Sequence, residues 1–293
     1  MFFPNRYPGR WTLNAENKGW SYLRPDLDTH QLVLAGSLMW NLISTRVTQF
    51  SYFDQVLGHP AWKGSKVLDF GGNVGNFLLG AGDNVNHDDY WCIDLNMTVI
   101  EQGRRKFPNA HFVHYNRYNS QFNPHGIRYL QVPDCGVSFD IILAFSVFTH
   151  IDHVEMVELV EMLRRMLTPT GVLAFTFCDA RYDRSLSDPS LPSGSDVRKN
   201  LERERVLNSP QDIDIKVEQA RESNWCVVID EEIYLEPGED LCHQKRVGKP
   251  NESYCSYFTV EFIESLFPDA KLFPPVSPEW QHCCVLKALT NES

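Results

Sequence analysis

The sequence predicts an α/β fold on a doubly wound, mostly parallel sheet, with an N-terminal helical cap and a long insertion after the fifth strand. Three observations lead to this prediction. Segments with strand and helix patterns alternate over residues 65–178. The strand segments are short and apolar along their length, which is typical of strands buried on both faces. A glycine-rich turn directly follows the first of these strands and opens a helix.

The 293-residue chain has the composition of a soluble globular protein, with 43% hydrophobic and 22% charged residues. Its net charge of −11 argues against a nucleic-acid partner, because duplex binding requires a basic patch that releases counterions. The N-terminus lacks the pattern of a signal peptide, and no stretch approaches the roughly 18 apolar residues that cross a bilayer. We therefore expect a cytoplasmic protein without a membrane partner, and the oligomeric state stays open.

Eight cysteines raise the question of disulfides or a metal site. No Cys-x-x-Cys pair occurs, and the neighbouring Cys283 and Cys284 fall on opposite faces of a predicted strand. Without a secretion signal, we expect reduced and mostly buried thiols. No metal cofactor is predicted.

Residues 1–60 are predicted to form the N-terminal cap, an aromatic-rich loop followed by helices. Asp28 and Thr29 precede apolar residues at helical spacing, which indicates a capped helix start. A second short helix is predicted around Phe53, and Gly58 is expected to end it.

The strands of the sheet are predicted in order along the middle of the chain. The helix before the fifth strand has its apolar residues on one face, and residues 168–171 are expected to form the turn that ends it. The five predicted strands are residues 66–70, 90–94, 111–115, 139–145 and 172–177.

An insertion of about 179–256 breaks this alternation. We expect a charged helix over 196–207 and a β-rich piece over 225–230 within it. A connection of this length is uncommon in a compact domain, so the insertion is expected to serve the function. The predicted elements that then complete the sheet are a capped helix at 259–267 and strands at 270–273 and 282–289.

The glycine-rich turn carries the functional argument. It runs from Asp69 to Gly75, where the backbone must turn sharply and let a ligand approach closely. Asp94 ends the next strand, where a carboxylate can accept both hydroxyls of an adenosine ribose. A nicotinamide-binding domain usually has a Gly-x-Gly-x-x-Gly turn, and this spacing is absent. Asp69 would also face a pyrophosphate unfavourably, but it suits a cofactor with a cationic amino-acid end.

These segments resemble the class I S-adenosylmethionine-dependent methyltransferases. Residues 67–77 (Val-Leu-Asp-Phe-Gly-Gly-Asn-Val-Gly-Asn-Phe) are similar to the first motif of that superfamily. Residues 139–150 resemble its fourth-strand motif, and residues 163–177 resemble its helix, turn and fifth strand. The resemblance implies S-adenosyl-L-methionine as cofactor, S-adenosyl-L-homocysteine as product, and a methyltransferase domain over 61–293.

The resemblance also assigns the cofactor site. Asp94 matches the acid that binds the ribose, and Asn116 stands where an Asp often contacts the adenine amino group. Asn73 replaces the middle glycine of the turn, a change that the backbone can accept because Asn tolerates a left-handed conformation. The expected cofactor-binding residues are Asp69, Gly71, Gly72, Asn73, Gly75, Asp94, Leu95, Asn116, Phe145 and Ser146.

His150 is the candidate general base, because it lies just past the carboxyl end of the fourth strand, where this fold places its chemistry. That His150 merely hydrogen-bonds backbone near a helix start stays open. His153 is expected at the surface beside the cap residue Asp152, and without a third ligand at suitable spacing the two histidines do not predict a metal.

The substrate half of the site is less defined. Arg181 and Arg184 follow the fifth strand and could clamp a carboxylate, or they could be solvent-exposed loop residues. Tyr22, Tyr254 and Tyr257 are candidates for aromatic walls of a substrate pocket, although a single aromatic is more often core.

The resulting hypothesis is a methyltransferase that acts by in-line displacement on a small organic molecule or short peptide, for instance in natural-product modification. A carboxylate-bearing acceptor is slightly preferred because of Arg181. Methylation of RNA or protein is the first alternative, and a non-catalytic partner protein that binds S-adenosylmethionine is the second.

Overall fold

The computed structural model describes residues 10–13, 20–23, 48–183, 185, 196–202, 210–229, 232–236, 254–276 and 280–289. In the first part, strands β1 (Arg10–Leu13) and β2 (Trp20–Leu23) pair antiparallel. The loop predicted there is wrong for these residues, since aromatic and β-branched residue types favour paired strands. The helix predicted to start near Asp28 lies outside the described residues. The second predicted helix is confirmed as α1 (Thr48–Val56).

The alternation of strands and helices is confirmed in the middle of the chain, and its elements lie close to their predicted bounds. They are β3 (Val67–Phe70), α2 (Asn76–Ala81), β4 (Tyr90–Asp94), α3 (Met97–Lys106), β5 (His111–His114), β6 (Phe139–Ala144), α4 (His153–Arg165) and β7 (Leu167–Phe177). Helix α4 begins at the predicted cap, since the Asp152 carboxylate accepts a hydrogen bond from the Glu155 backbone N–H.

The insertion contributes helices and a small sheet of its own. Its described elements are α5 (Asp196–Glu202), α6 (Pro210–Glu222), β8 (Trp225–Ile229), β9 (Glu232–Leu235) and β10 (Tyr254–Phe258). The three strands form an antiparallel sheet in the order β10-β8-β9. The β-rich piece and the start of the charged helix are thereby confirmed, whereas α6 was not predicted.

The chain ends its described part with α7 (Val260–Leu266), β11 (Lys271–Phe273) and β12 (His282–Lys287), as predicted. The main sheet has the order β11-β12-β7-β6-β3-β4-β5. β3, β4, β5, β6 and β7 pair in parallel, and β12 lies antiparallel between β7 and β11. This is the predicted doubly wound, mostly parallel sheet.

The start of β7 differs from the prediction. The strand begins at Leu167, and the residues expected to form a separate turn lie inside it. Leu167 pairs with Phe139, but the next pair joins Ile141 to Val172, so residues 168–171 bulge out of the ladder. A Cβ on Gly171 would stand 2.7 Å from the Phe139 carbonyl oxygen, which explains the glycine at this bulge.

The main sheet separates two groups of buried side chains. Leu163 of α4 and Trp225 of the insertion belong to the group on one face. Phe53 of α1 and Phe77 of α2 belong to the group on the other face. Within the described ranges, the longest helices have 13 residues, and none has the length and apolar character needed to cross a bilayer.

The described cysteines, which are all but Cys242, are free thiols, and five of the seven are buried. This agrees with the expectation of reduced, mostly buried thiols. Among the described residues, no group of three potential ligands is arranged to hold a metal ion.

Candidate active site

The glycine turn after β3 has a backbone that depends on its residue types. Gly71, Asn73 and Gly75 have φ angles of 76°, 56° and 85°, in the region where side chains are rarely tolerated. Asn73 stabilises its own left-handed conformation, because its Oδ1 accepts a hydrogen bond from the Val74 N–H at 2.8 Å. The departure from the middle glycine therefore leaves the turn intact.

Close packing explains the glycines at 71 and 72. A Cβ on Gly71 would stand 2.4 Å from Cγ2 of Val147, which follows β6. A Cβ on Gly72 would stand 2.4 Å from the Asp69 carboxyl. The turn is thus pressed against the end of β6 on one side and against Asp69 on the other.

Asp69 lies behind the turn, with 2% of its surface exposed. The Tyr90 hydroxyl donates a hydrogen bond to its Oδ2 at 2.5 Å. Burial raises the pKa of Asp69 to about 7, against the lowering effect of the Tyr90 hydrogen bond. We had expected this acid to face the cationic end of a cofactor. Its burial beneath Gly72 instead makes it a support for the turn.

Asp94 joins the turn to the end of β4. Its Oδ2 accepts a hydrogen bond from the Asn73 N–H at 2.9 Å, and its Oδ1 accepts one from the Asn96 N–H at 2.8 Å. Burial raises the pKa of Asp94, and these backbone hydrogen bonds lower it. Each carboxylate oxygen has capacity for another donor, so the group can still accept ribose hydroxyls. Leu95 follows directly, and its carbonyl oxygen lies 3.0 Å from Nε2 of His114.

Asn116 begins the loop after β5 and is exposed. Its Oδ1 accepts a hydrogen bond from Nδ2 of Asn123 at 3.0 Å, so the predicted contact to an adenine would add to this bond or replace it. The next residue, Arg117, is 4% exposed and paired with Glu155 and Glu158 of α4, so its guanidinium is engaged away from the Asn116 side chain.

Phe145 and Ser146 form the turn at the end of β6. The Phe145 ring packs edge-on against Tyr52 and Phe53 of α1, at 6.1 Å between centroids in both cases. Ser146 has a φ of 57°, a conformation that costs a residue with a side chain about 1–3 kcal/mol. Its N–H donates to Oγ1 of Thr176 at 2.7 Å, which helps to hold this conformation.

Two residues at this turn were not found by sequence reasoning. Thr176 on β7 and Gln281, just before β12, are 0% and 3% exposed, and Gln281 donates from Nε2 to Oγ of Ser146 at 3.0 Å. A polar residue within the apolar fifth strand was a signal for Thr176. No local signal marks Gln281, because its partners lie more than a hundred residues away in the chain.

His150 lies in a short 3₁₀ turn, Phe148–His150, just past β6. Its Nδ1 is 2.9 Å from the backbone carbonyl oxygen of Tyr254. A carbonyl oxygen only accepts, so Nδ1 carries the proton, and in the neutral ring Nε2 carries the lone pair. This is the tautomer that a general base at Nε2 requires. His150 therefore does make the hydrogen bond to backbone that was its alternative role, and this hydrogen bond is compatible with a role as general base.

Phe122, in the loop after β5, packs edge-on against the His150 ring, with ring centroids 4.9 Å apart and an interplanar angle of 90°. The side chain of Asn119 links the two residues, because Oδ1 accepts from the Phe122 N–H and Nδ2 donates to the His150 carbonyl oxygen. Half of the Phe122 surface is exposed. An aromatic surface thus adjoins the candidate base.

His153 is not the surface residue that the sequence analysis expected. Its ring packs against Trp225 at 4.6 Å and Phe262 at 5.7 Å between centroids, because β8 and α7 cover the start of α4. Its Nδ1 is buried and makes no hydrogen bond to the described part of the chain.

The structure does not favour Arg181 as a carboxylate clamp. Its guanidinium already pairs with Glu261 at 2.5 Å and with Asp179 at 3.4 Å. The Glu261 hydrogen bond raises the pKa of Arg181. Arg184 lies outside the described residues.

Tyr254 and Tyr257 are core residues of the insertion, each 1% exposed. They pack in its hydrophobic clusters, so their side chains do not form the substrate wall that was predicted. The third candidate, Tyr22, lies in β2, but its side chain is outside the described part.

A further histidine stands at this edge of the sheet. His282 opens β12 opposite Phe177, and its ring stacks on Phe177 at 5.4 Å between centroids. Burial lowers its pKa, and its buried Nδ1 makes no hydrogen bond within the described ranges. His282 was not predicted as a site residue, because its sequence position is that of an ordinary residue in a closing strand.

The chain is similar to one family model and to several solved structures. Residues 68–173 match a family model described as a methyltransferase domain. A solved S-adenosylmethionine-dependent methyltransferase from Clostridium acetobutylicum is similar at 11% identity and a TM-score of 0.48, over 87% of this chain and 98% of that chain. An amino pentose methyltransferase from Micromonospora echinaspora, involved in calicheamicin biosynthesis, is similar at 12% identity and a TM-score of 0.49, over 91% and 100%. No curated protein matches the chain.

Proposed function

We propose that this protein methylates a small organic molecule or a short peptide with S-adenosyl-L-methionine as the methyl donor, since residues 68–173 match a family model described as a methyltransferase domain. One observation carries the cofactor side of this proposal. The carboxylate of Asp94 accepts a hydrogen bond from the Asn73 N–H, so the glycine turn and the acid at the end of β4 form one unit.

The residues of this unit fit the cofactor. Asp94 would hold the ribose through the remaining acceptor capacity of its oxygens, with Leu95 and Asn116 toward the adenine. Gly71, Gly72, Asn73 and Gly75 would let the backbone approach the ligand, and Asp69 would support them from behind. Phe145 and Ser146 would border the amino-acid end. When bound, the cofactor supplies an electrophilic methyl group on a sulfonium centre.

His150 would act as the general base. With Nδ1 held by the Tyr254 carbonyl oxygen, Nε2 is the atom that takes the proton from the nucleophile of the acceptor. The neighbouring Phe122 would contact an apolar part of the acceptor and exclude water from the reacting groups. Most of the rate acceleration by the protein would come from positioning the acceptor, because methyl transfer is an in-line displacement.

The side chains around His150 bear on the class of acceptor. The earlier preference for a carboxylate-bearing acceptor loses its support, because Arg181 is engaged by Glu261 and Asp179. An RNA acceptor is disfavoured by the net charge of −11. The exposed Phe122 beside His150 favours an acceptor with an apolar or aromatic part, on a small molecule or a peptide.

The first experiment is a calorimetric titration with S-adenosyl-L-homocysteine, and NADH serves as the parallel ligand. We expect a dissociation constant on the order of micromolar for the homocysteine nucleoside and no binding of NADH. Asp94→Asn should weaken this affinity at least about tenfold, because an amide replaces one of the two acceptor oxygens with a donor.

Asp140→Asn is the matched control. Asp140 also accepts a backbone hydrogen bond, from the Lys66 N–H, but it lies at the opposite end of the strands, near the start of β6. Binding of NADH alone would contradict the proposal. Once incubation with labelled cofactor and metabolite extract has yielded an acceptor, His150→Gln should lower kcat by about 10²–10⁴ and leave the homocysteine nucleoside affinity unchanged. An unchanged kcat would remove His150 as the base.

A further inference from the structure

We propose that Gln281 is a positioning residue that fixes the Ser146 turn for the amino-acid end of the cofactor. The inference rests on the proposed function and adds to it a residue from outside the matched domain. Gln281 lies just before β12, on the segment of chain that returns to the sheet after the insertion. It acts through Ser146 and Thr176 and need not touch the reacting atoms.

The three residues form a closed ring of hydrogen bonds. The Ser146 N–H donates to Oγ1 of Thr176 at 2.7 Å, and that hydroxyl donates to Oε1 of Gln281 at 2.5 Å. Nε2 of Gln281 then donates to Oγ of Ser146 at 3.0 Å. The ring thus joins the backbone and the side chain of the residue that has the left-handed conformation.

The direction of each hydrogen bond follows from chemistry. A backbone N–H only donates, so Oγ1 of Thr176 accepts from Ser146 and its own proton goes to Gln281. If the Gln281 amide were turned over, its NH₂ group would face this hydroxyl, and the Thr176 proton would lose its acceptor. Glutamine at 281 completes the ring because its side chain has both an acceptor and a donor.

The Ser146 hydroxyl is committed to the same network. Thr149 donates to the Ser146 carbonyl oxygen at 3.0 Å, so the hydroxyl contact between the two residues uses the Ser146 proton. Ser146 therefore has its N–H, its carbonyl and its hydroxyl proton engaged within the protein. Its role at the cofactor is to set the path of the backbone, and that path depends on Gln281.

The far side of Gln281 is also held. The Tyr52 hydroxyl donates to the Gln281 carbonyl oxygen at 2.9 Å, and the Tyr52 ring packs against Phe145. Gln281 is consequently fixed by α1, by β7 and by the turn after β6. A change in its side chain acts on the turn first, because the backbone anchor to Tyr52 is kept.

Two ligands test this role. S-adenosyl-L-homocysteine has the nucleoside and the amino-acid end, whereas methylthioadenosine has the nucleoside alone. We expect Gln281→Leu to weaken calorimetric binding of the first ligand about ten- to a hundredfold and that of the second less than about twofold. Thr176→Val should have the same selective effect, and Thr176→Ser, which keeps the hydroxyl, should restore wild-type affinities.

Gln49→Leu is the matched control, because Gln49 is also a buried glutamine, on α1, outside the ring. If the Gln281 and Thr176 variants lose affinity for both ligands equally, the ring has only a structural role and the proposal is overturned. If Gln281→Leu fails to fold, the comparison of Thr176→Val with Thr176→Ser decides. A wild-type protein that binds neither ligand would instead refute the proposed function itself.

Discussion

At the scale of single residues, Asp69 is a carboxyl that the fold keeps away from water. Its pKa is raised to about 7 by burial, whereas an unfolded chain releases the proton near pH 4. Between these values the folded state holds a proton that the unfolded state has lost. The contribution of Asp69 to the free energy of unfolding therefore falls as pH rises, by up to about 1.4 kcal/mol per pH unit, and is constant above the folded pKa.

Asp69→Asn should remove this slope, because the amide stays neutral at every pH and can still accept from Tyr90. We expect its free energy of unfolding, relative to wild type, to increase from about pH 5 to about pH 7 and then to level off. Urea unfolding at several pH values measures this. Asp83→Asn removes an exposed carboxylate and serves as the control. A constant difference between Asp69→Asn and wild type would contradict the prediction.

The site residues show how far sequence reasoning extends at this scale. The sharp turn at the glycines and the place of Asp94 at the end of β4 could be predicted, because both depend on local sequence. Asp69 was assigned to the site, but the direction of its side chain depends on Tyr90, which belongs to another strand. Gln281 could not be found, since its contacts with Ser146 and Thr176 exist only in the assembled sheet.

At the scale of elements, α3 contains a glycine where the helix crosses β5. Alanine in place of a helical glycine usually stabilises a protein by about 0.5–1 kcal/mol. A Cβ on Gly103, however, would stand 2.1 Å from Cε1 of the buried Phe112. We expect Gly103→Ala to destabilise the protein by about 1–3 kcal/mol, because the helix must move away from the sheet.

Chemical denaturation of Gly103→Ala checks the sign of this effect. Glu101→Ala, on the exposed side of the same helix, should change the free energy of unfolding by less than about 0.5 kcal/mol. Stabilisation by Gly103→Ala would mean that α3 can shift without cost.

The elements also differ in how well the sequence predicts them. Apolar strands between glycine and proline turns were found within a few residues, because burial on both faces leaves a strong local pattern. The start of β7 was misplaced, since a Thr-Pro-Thr-Gly segment looks like a turn until the pairing of Leu167 with Phe139 shows a bulge. Helix α6 was missed because its polar residues gave no clear apolar face.

At the scale of the whole molecule, buried polar contacts attach the insertion to the segment that follows β6. The hydroxyl of Ser256, which is fully buried, donates to the Ile151 carbonyl oxygen at 2.6 Å. Ile151 directly follows His150, whose ring is held by Tyr254 of the same strand, β10. That the insertion serves the function stays a prediction from its length; these contacts connect it to the candidate base.

Ser256→Ala should lower the free energy of unfolding by about 1–3 kcal/mol, because it leaves a buried carbonyl oxygen without this donor. Ser265→Ala removes a similar hydrogen bond at an exposed position, to Phe262, and should cost less than about 0.5 kcal/mol. Urea titrations of both variants provide the comparison. Equal effects would indicate that the insertion is held by apolar packing alone.

The antiparallel placement of β12 has a consequence for the order of events during synthesis. β12 is the last of the described strands to leave a ribosome, yet it lies between β7 and β11 and not at an edge. Until it arrives, β7 has one open side, and the Ser146 turn lacks the residue that closes its ring. A nascent chain can therefore form the glycine turn with Asp94 before β12 emerges, whereas the hydrogen-bond ring at Ser146 closes only after β12 has joined the sheet.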